Sequence, residues 1–217
     1  MTSGAGVGAR ERERLERHAR LLFDLDAAGR IVAVNEPEAD PPPRAWVARG
    51  DGGERLILGR ADVGTDLLDQ LADPAAAVAL GAEGGPAFRF PERVVAPAVE
   101  GLIVVDRSTA SLLAAHYPFT QRYLEVRSPV VGVVRDGAIV ALCMSCRTGP
   151  DAGEVGLHTQ EAWRGRGFGR ALVARWWAEM RRLGREPFYS TTWSNEASLA
   201  VARALGLLPF AEELSVP

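Results

Sequence analysis

Hydrophobic and polar positions fall into distinct rhythms along the chain. Pro129–Val134 and the apolar run Ala138–Met144 flank an Asp136-Gly137 pair, which predicts a β-hairpin with a primed turn. Glu154–Thr159 predicts a third strand after the Gly149-Pro150 turn, so this region reads as a meander. Next, Leu172, Val173, Trp176, Trp177, Met180 and Leu183 recur at helical spacing, with Gly184 at the expected C′ position. Phe188–Trp193 predicts another strand. Asn195 is placed to cap a helix carrying Leu199, Ala202 and Leu205, which Gly206 ends. A short strand through Leu208–Leu214 is expected to close the sheet.

Upstream the rhythm differs. Leu21–Leu25 and Ile31–Val34 flank a turn with Gly29, and Ala45–Ala48 and Arg55–Leu58 flank Asp51-Gly52-Gly53, so two hairpins are expected. Pro41–Pro43 reads as a stiff connector. Asp66–Leu71 and Ala75–Leu80 predict short helices around Pro74, and Leu102–Val105 a strand. Asp106–His116 predicts a helix, broken by Tyr117-Pro118-Phe119, and Thr120–Val126 the start of another. Arg10–Arg20 alternates Arg with Glu around Leu15, which reads as a solvated helix face with i,i+4 pairs such as Glu13–Arg17. Met1–Ala9 reads as a mobile tail. The pattern divides the chain into a tail and charged helix (1–20), a small α+β domain (21–105) and a second domain (106–217). The fold class is α+β, with a mostly antiparallel sheet flanked by helices in the second domain.

Composition narrows the chemistry. With 47% apolar and 24% charged residues the chain reads as an ordinary globular protein. All 25 basic side chains are arginine, which excludes a lysine-based mechanism within the chain. A net charge of −3 argues against a dedicated nucleic-acid binder. Cys143 and Cys146 form a C-x-x-C pair in an apolar strand, where positions i and i+3 face opposite ways. Inert thiols are therefore expected rather than a redox or metal pair, and no metal is expected. A reducing, cytoplasmic compartment fits. No apolar run approaches the ~20 residues of a membrane span, and Met1–Arg20 has no apolar signal core, so no membrane association is expected.

The most informative stretch is Arg164-Gly165-Arg166-Gly167-Phe168-Gly169-Arg170. Alternate glycines let backbone N–H groups point into one concavity, and a helix that starts there adds its own unpaired N–H groups and dipole. Such a loop is an anion cradle. A G-x-G-x-x-G dinucleotide fingerprint fails at Arg170, and a G-x-x-x-x-G-K-[ST] phosphate loop fails for want of lysine. The pattern [RQ]-x-x-G-x-[GA] is satisfied by Arg164, Gly167 and Gly169.

With the strand before it, the long helix after it and the Asn-opened helix beyond, this stretch resembles the acyl-CoA-binding half of the GNAT superfamily of N-acetyltransferases. The resemblance is specific from about Asp151 to Phe210. It implies acetyl-CoA as co-substrate, with pyrophosphate held by the backbone from Arg164 through Gly165, Arg166, Gly167, Phe168 and Gly169 to Arg170. Arg164, Arg166 and Arg170 either pair with phosphate oxygens or are surface charge. It also implies that Leu157, His158 and Thr159 lie along the pantetheine, and that Asn195 and Ser198 touch the cofactor. Asn195 can equally be a plain N-cap. Many members carry a tyrosine acid seven residues after that Asn; here Ala202 stands there.

Strand alternation puts Glu154, Gly156 and His158 on one face. Glu154 is the expected general base, close to where several members carry a glutamate, with His158 second and Tyr189 as proton donor to the leaving thiolate. His116 and Tyr117 are expected to line the acceptor pocket. The expected activity is acetyl transfer to an amine of a small-molecule acceptor. The alternatives are a non-catalytic acyl-CoA-binding module, suggested by Ala202, and another nucleotide-phosphate binder using the same loop. The role of residues 21–105 is open between a degenerate second unit, a substrate lobe and a dimer interface, so a homodimer is an open expectation.

Overall fold

The structure, a computed structural model, describes residues 4–71, 73, 76 and 79–217. In chain order the elements are α1 (Gly4–Leu22), β1 (Phe23–Leu25), β2 (Ile31–Val34), β3 (Ala45–Gly50), β4 (Arg55–Gly59), α2 (Thr65–Gln70), β5 (Glu83–Arg89) and β6 (Leu102–Val105). A 3-10 turn (Ala110–Leu113) and α3 (Pro118–Arg122) lead to β7 (Val130–Arg135), β8 (Ala138–Thr148) and β9 (Ala152–Thr159). A second 3-10 turn (Glu161–Trp163) precedes α4 (Phe168–Arg182), β10 (Glu186–Ser190), α5 (Glu196–Ala204) and β11 (Leu208–Val216). The chain forms two compact units, each discontinuous in sequence. The first comprises Met1–Arg89, Ser190–Leu199 and Leu208–Pro217; the second comprises Phe90–Tyr189 and Ala200–Leu207. This is a different cut from the linear division at 105 that the sequence pattern suggests.

In the first unit the strands run β4-β3-β11-β5, all antiparallel. The strand expected to close the sheet of the second domain is thus an interior strand here, with β3 on one edge and β5 on the other. Its neighbour β5 has no side chain at two positions where none fits. A Cβ on Gly84 would stand 1.8 Å from the Glu213 carbonyl oxygen, and one on Gly85 2.0 Å from that of Thr191.

The expected tail is helical from Gly4, and the solvated helix is half of an amphipathic one. Leu15, His18, Ala19 and Leu22 recur at i, i+3, i+4, i+7 and are all buried. His18 is tolerated inside because its Nδ1 lies 2.6 Å from Glu213 Oε1 and its ring packs edge-on against Phe210. Both expected hairpins form, with Gly29 and Gly53 at positive φ. Half of the helix expected over Ala75–Leu80, residues 75, 77 and 78, lies outside the described residues.

In the second unit the order is β10-β9-β8-β7-β6. Only β10 and β9 are parallel; the meander β7-β8-β9 is antiparallel, and β6 extends it. The β7–β8 turn has Asp136 and Gly137 both at positive φ, as a primed hairpin turn requires. One face carries Val130, Ile139, Leu142 and Met144 packed with Leu113 and Tyr117. On the other, α4 buries Leu172, Val173, Trp176 and Met180, and the Trp176 indole N–H donates to Ser145 Oγ at 3.2 Å. Gly184 ends α4 in the left-handed conformation, with Gly184 N–H on the Arg181 carbonyl and Arg185 N–H on that of Met180.

The helix expected over Asp106–His116 shrinks to the 3-10 turn. The Asp106 carboxylate accepts from the N–H groups of Ser108 and Thr109 and from both hydroxyls, and this local turn competes with helix. The second helix, expected over Thr120–Val126 after a break at Tyr117-Pro118-Phe119, is the shorter and earlier α3 (Pro118–Arg122): proline stands in its first turn, where its missing N–H costs nothing, rather than breaking it.

Candidate active site

All of the geometry here belongs to the second unit unless stated. Strand β9 pairs with β8 from Gly153 to Thr159, but with β10 over only three rungs, Glu186–Ala152, Pro187–Gly153 and Phe188–Glu154. Past Glu154 the parallel strands separate. Val155–Thr159 then have no strand partner on that side among the described residues.

The two faces of β9 differ. A Cβ on Gly153 would meet Met180 Cε at 2.7 Å, and one on Gly169 would meet Leu157 Cδ2 at 3.2 Å, so the odd-numbered residues face α4. A Cβ on Gly156 would instead meet Cys146 Cβ at 3.0 Å and Met144 Cε at 3.1 Å. Glu154 and His158 share the face of Gly156, as alternation requires. Glu154 is 1% exposed, stands across from Arg147 in the β8–β9 register, and its carbonyl accepts the Cys146 thiol at 3.5 Å. His158 is exposed, and its ring meets that of Tyr117 edge-on at 6.5 Å.

The Tyr117 hydroxyl donates to the Val140 carbonyl at 3.1 Å. Burial pushes its phenol above the usual value, and hydrogen bonds with Gln160 offset part of that. Beside this group, Met144 Sδ accepts from Thr120 Oγ1 and Arg127 Nη1, and the Arg127 guanidinium lies over the Phe119 ring at 4.7 Å.

Tyr189 is buried and is the first residue of β10 beyond the last rung. Because Pro187 pairs with Gly153, the register turns Tyr189 to the α4 face, away from the face of Glu154 and His158. The three expected catalytic residues therefore do not share one face of the sheet. Cys143 is fully buried, and burial pushes its thiol well above the usual value, so it is no nucleophile. Among the described residues no group of three His, Cys, Asp or Glu side chains is placed to hold a metal, and no helix is long and apolar enough to cross a membrane.

The glycine loop follows β9 directly. Gly165 and Gly167 have φ of 74° and 77°, a region that L side chains adopt only under strain, and residues 164–167 are exposed. Nothing lies within 4 Å of where a Gly165 Cβ would be. Gly167 precedes the 15-residue α4, and no side chain caps that helix. Its first N–H groups therefore open toward solvent. Arg164 Nε donates to the Thr159 carbonyl and Arg166 Nη2 to that of Ala162. Three contacts here have no signal in the sequence. Trp163 and Phe168 stack at 6.4 Å, Arg166 lies over Trp163 at 4.6 Å, and Arg135 lies over Phe168 at 5.4 Å. No motif spacing ties Arg135 to the loop; only the β8–β9 register, pairing Ala141 with Thr159, brings that hairpin end to it.

Asn195 and Ser198 belong to the first unit, where Asn195 Oδ1 accepts the Ser198 N–H at 3.0 Å as an N-cap. Ala202, in the second unit, is fully buried.

Residues 112–211 match the GNAT acetyltransferase family. No curated protein matches the chain. Among solved structures, a GCN5-related N-acetyltransferase-like protein of Streptococcus suis is 14% identical, with 94% of this chain and 98% of that one covered and a TM-score of 0.50. A GNAT-family protein of Novosphingobium aromaticivorans is 20% identical over 63% of this chain and 66% of its own, at a TM-score of 0.49. A GNAT-family acetyltransferase of Colwellia psychrerythraea is 11% identical over 62% and 56%, at 0.48. The chain thus spans less than two thirds of the length of the last two. At 14% identity the likeness to the Streptococcus suis protein concerns fold alone, and with the family match over residues 112–211 it gives one conclusion: the C-terminal half of the chain has the fold of the GNAT superfamily of acetyltransferases.

Proposed function

We propose that the protein is an N-acetyltransferase that moves an acetyl group from acetyl-CoA to the amine of a small molecule. The observation that carries this reading is the loop Arg164–Arg170, exposed, bent by two left-handed glycines and opening onto an uncapped helix. It fits a diphosphate: nothing lies within 4 Å of a Cβ built on Gly165 and only Arg170 Nη2 comes that near one on Gly167, and the N–H groups from Gly165 to Arg170 and nearby guanidiniums would hold it. The separated edge of β9 at Leu157–Thr159 would lie along the pantetheine. When bound, acetyl-CoA supplies a thioester carbonyl.

The chain itself must take a proton from the acceptor ammonium and return one to the departing sulfur. Solvent exposure favours His158 as the group that accepts the ammonium proton, while buried Glu154 on the same face is the other proposed base, reached through a water. Tyr189 is the proposed proton donor. Titration calorimetry with acetyl-CoA and desulfo-CoA tests the reading, and absence of micromolar binding to both refutes it. With an acceptor in hand, His158→Ala and Glu154→Gln should separate the two bases: kcat falls at least about 100-fold for the true one with CoA affinity retained.

A second reading, a non-catalytic acyl-CoA-binding module, is favoured by one observation. Ala202 places a buried methyl where the resemblance leads one to expect a phenol. CoA binding without turnover across a broad amine panel would support it.

A further inference from the structure

His158 is held without a hydrogen bond. Among the described residues its imidazole makes none, nor an ion pair, and the one ring it meets is that of Tyr117, edge-on at 6.5 Å. A histidine that moves protons is ordinarily oriented through a hydrogen bond from its second ring nitrogen. The strand beneath it is also secured from one side only. His158 stands opposite Leu142 and Thr159 opposite Ala141 on β8, while the last rung with β10 is at Glu154.

Tyr117 meets both needs. Its main chain is fixed where the 3-10 turn passes into α3: its N–H donates to the Leu113 carbonyl at 2.7 Å, and its carbonyl accepts the Gln121 N–H at 3.0 Å. Its ring is buried with Leu113, Val130, Ile139 and Leu142. Its hydroxyl donates to the Val140 carbonyl, which also accepts the Gln160 N–H at 2.9 Å, and Gln160 hydrogen-bonds the phenol oxygen in turn. The side chain therefore reaches from the start of α3 to the end of β9 and ties down the second residue after His158. With the phenol engaged there, what remains for His158 is the ring. Edge-on aromatic pairs at this separation attract, and a ring that cannot move restricts the rotamers of an imidazole lying against it.

We infer that Tyr117 is a positioning residue for His158, holding the imidazole where it takes the ammonium proton by packing alone. This rests on the proposed function, with His158 as the base.

The test is nuclear magnetic resonance of the unliganded protein with labelled histidine, the His158 signals being assigned by their loss in His158→Ala. Wild type is expected to show Overhauser contacts between the Tyr117 ring and the His158 imidazole, a measurement that needs no Tyr117 variant to fold. In Tyr117→Leu the His158 signals move; in Tyr117→Phe, which keeps the ring, they stay near their wild-type positions. For an amine that wild type acetylates, kcat falls at least about tenfold in Tyr117→Leu with the KM for acetyl-CoA unchanged, and Tyr117→Phe recovers most of the loss. A merely structural tyrosine would lower the thermal midpoint in Tyr117→Leu and move neither the His158 signals nor kcat. Absence of the Overhauser contacts in wild type, or unmoved signals or unchanged kcat in folded Tyr117→Leu, overturns the inference. Failure to bind acetyl-CoA overturns the proposed function instead, and is read in a titration separate from the resonance measurements.

Discussion

Helix α4 begins and ends on a left-handed glycine, which allows strain to be separated from ligand binding. Gly167 has φ 77° and Gly184 φ 70°. Around Gly184 nothing lies within 4 Å of a built Cβ, and at Gly167 only Arg170 Nη2 comes within 4 Å, at 3.9 Å. Alanine at either position therefore meets no steric obstacle, and its cost is the backbone term alone, about 1 kcal/mol. For a chain of this size that lowers the thermal midpoint by roughly 2–4 °C, and the two variants should agree within error. Their effects on CoA must differ. Relief of strain at Gly167 reorients the N–H groups of the cradle, and loss of one charge-assisted hydrogen bond weakens CoA by about tenfold. Gly184→Ala, at the far end of the helix, leaves CoA affinity unchanged. Scanning calorimetry and CoA titration on both variants decide the matter. Equal loss of CoA affinity in the two variants, or none at Gly167, would refute the backbone cradle.

Trp176→Phe removes the indole donor to buried Ser145 and leaves a void, so it should cost about 2 to 3 kcal/mol by urea unfolding. Burial alone would raise the Glu179 carboxyl, but hydrogen bonds from Arg182 and Arg175 outweigh it and hold the group below its usual 4.5. Its stabilisation is therefore present above that pH and is lost as pH falls through the lowered folded value. Glu179→Gln should cost about 1 kcal/mol at pH 7, and its difference from wild type should vanish in acid, as read from denaturant midpoints across pH. Gly84→Ala drives a Cβ against the Glu213 carbonyl oxygen, so a loss of about 3 kcal/mol or more is expected, seen as loss of cooperative unfolding or of soluble yield.

The sequence made the second unit readable because its signals are local. The Asp136-Gly137 turn, the helical stripe through Trp176 and Met180, and Gly184 and Gly206 as helix stops each act within a few residues. Long-range pairing was not readable. Nothing near Leu208 announces that its strand lies between β3 and β5, and nothing near Arg135 announces Phe168. In α1, two buried positions are a histidine and an alanine, so the stripe lacked hydrophobic weight and read as solvated. At the candidate site the loop was legible from glycine spacing and the pairing of Glu154 with His158 from alternation. The burial of Glu154 and the turn of Tyr189 to the α4 face depend on how β9 and β10 pair and where that pairing stops, which no single residue encodes.

Strand β11 carries a consequence for biosynthesis. The first unit contains the segments that leave the ribosome earliest, yet its interior strand is translated only after every residue of the second unit. Until then the facing edges of β3 and β5 have no partner between them, and α1 has no Glu213 to receive His18. The amino-terminal unit therefore cannot mature first in the usual vectorial order, and trimming residues 208–217 should cripple it rather than shorten a tail.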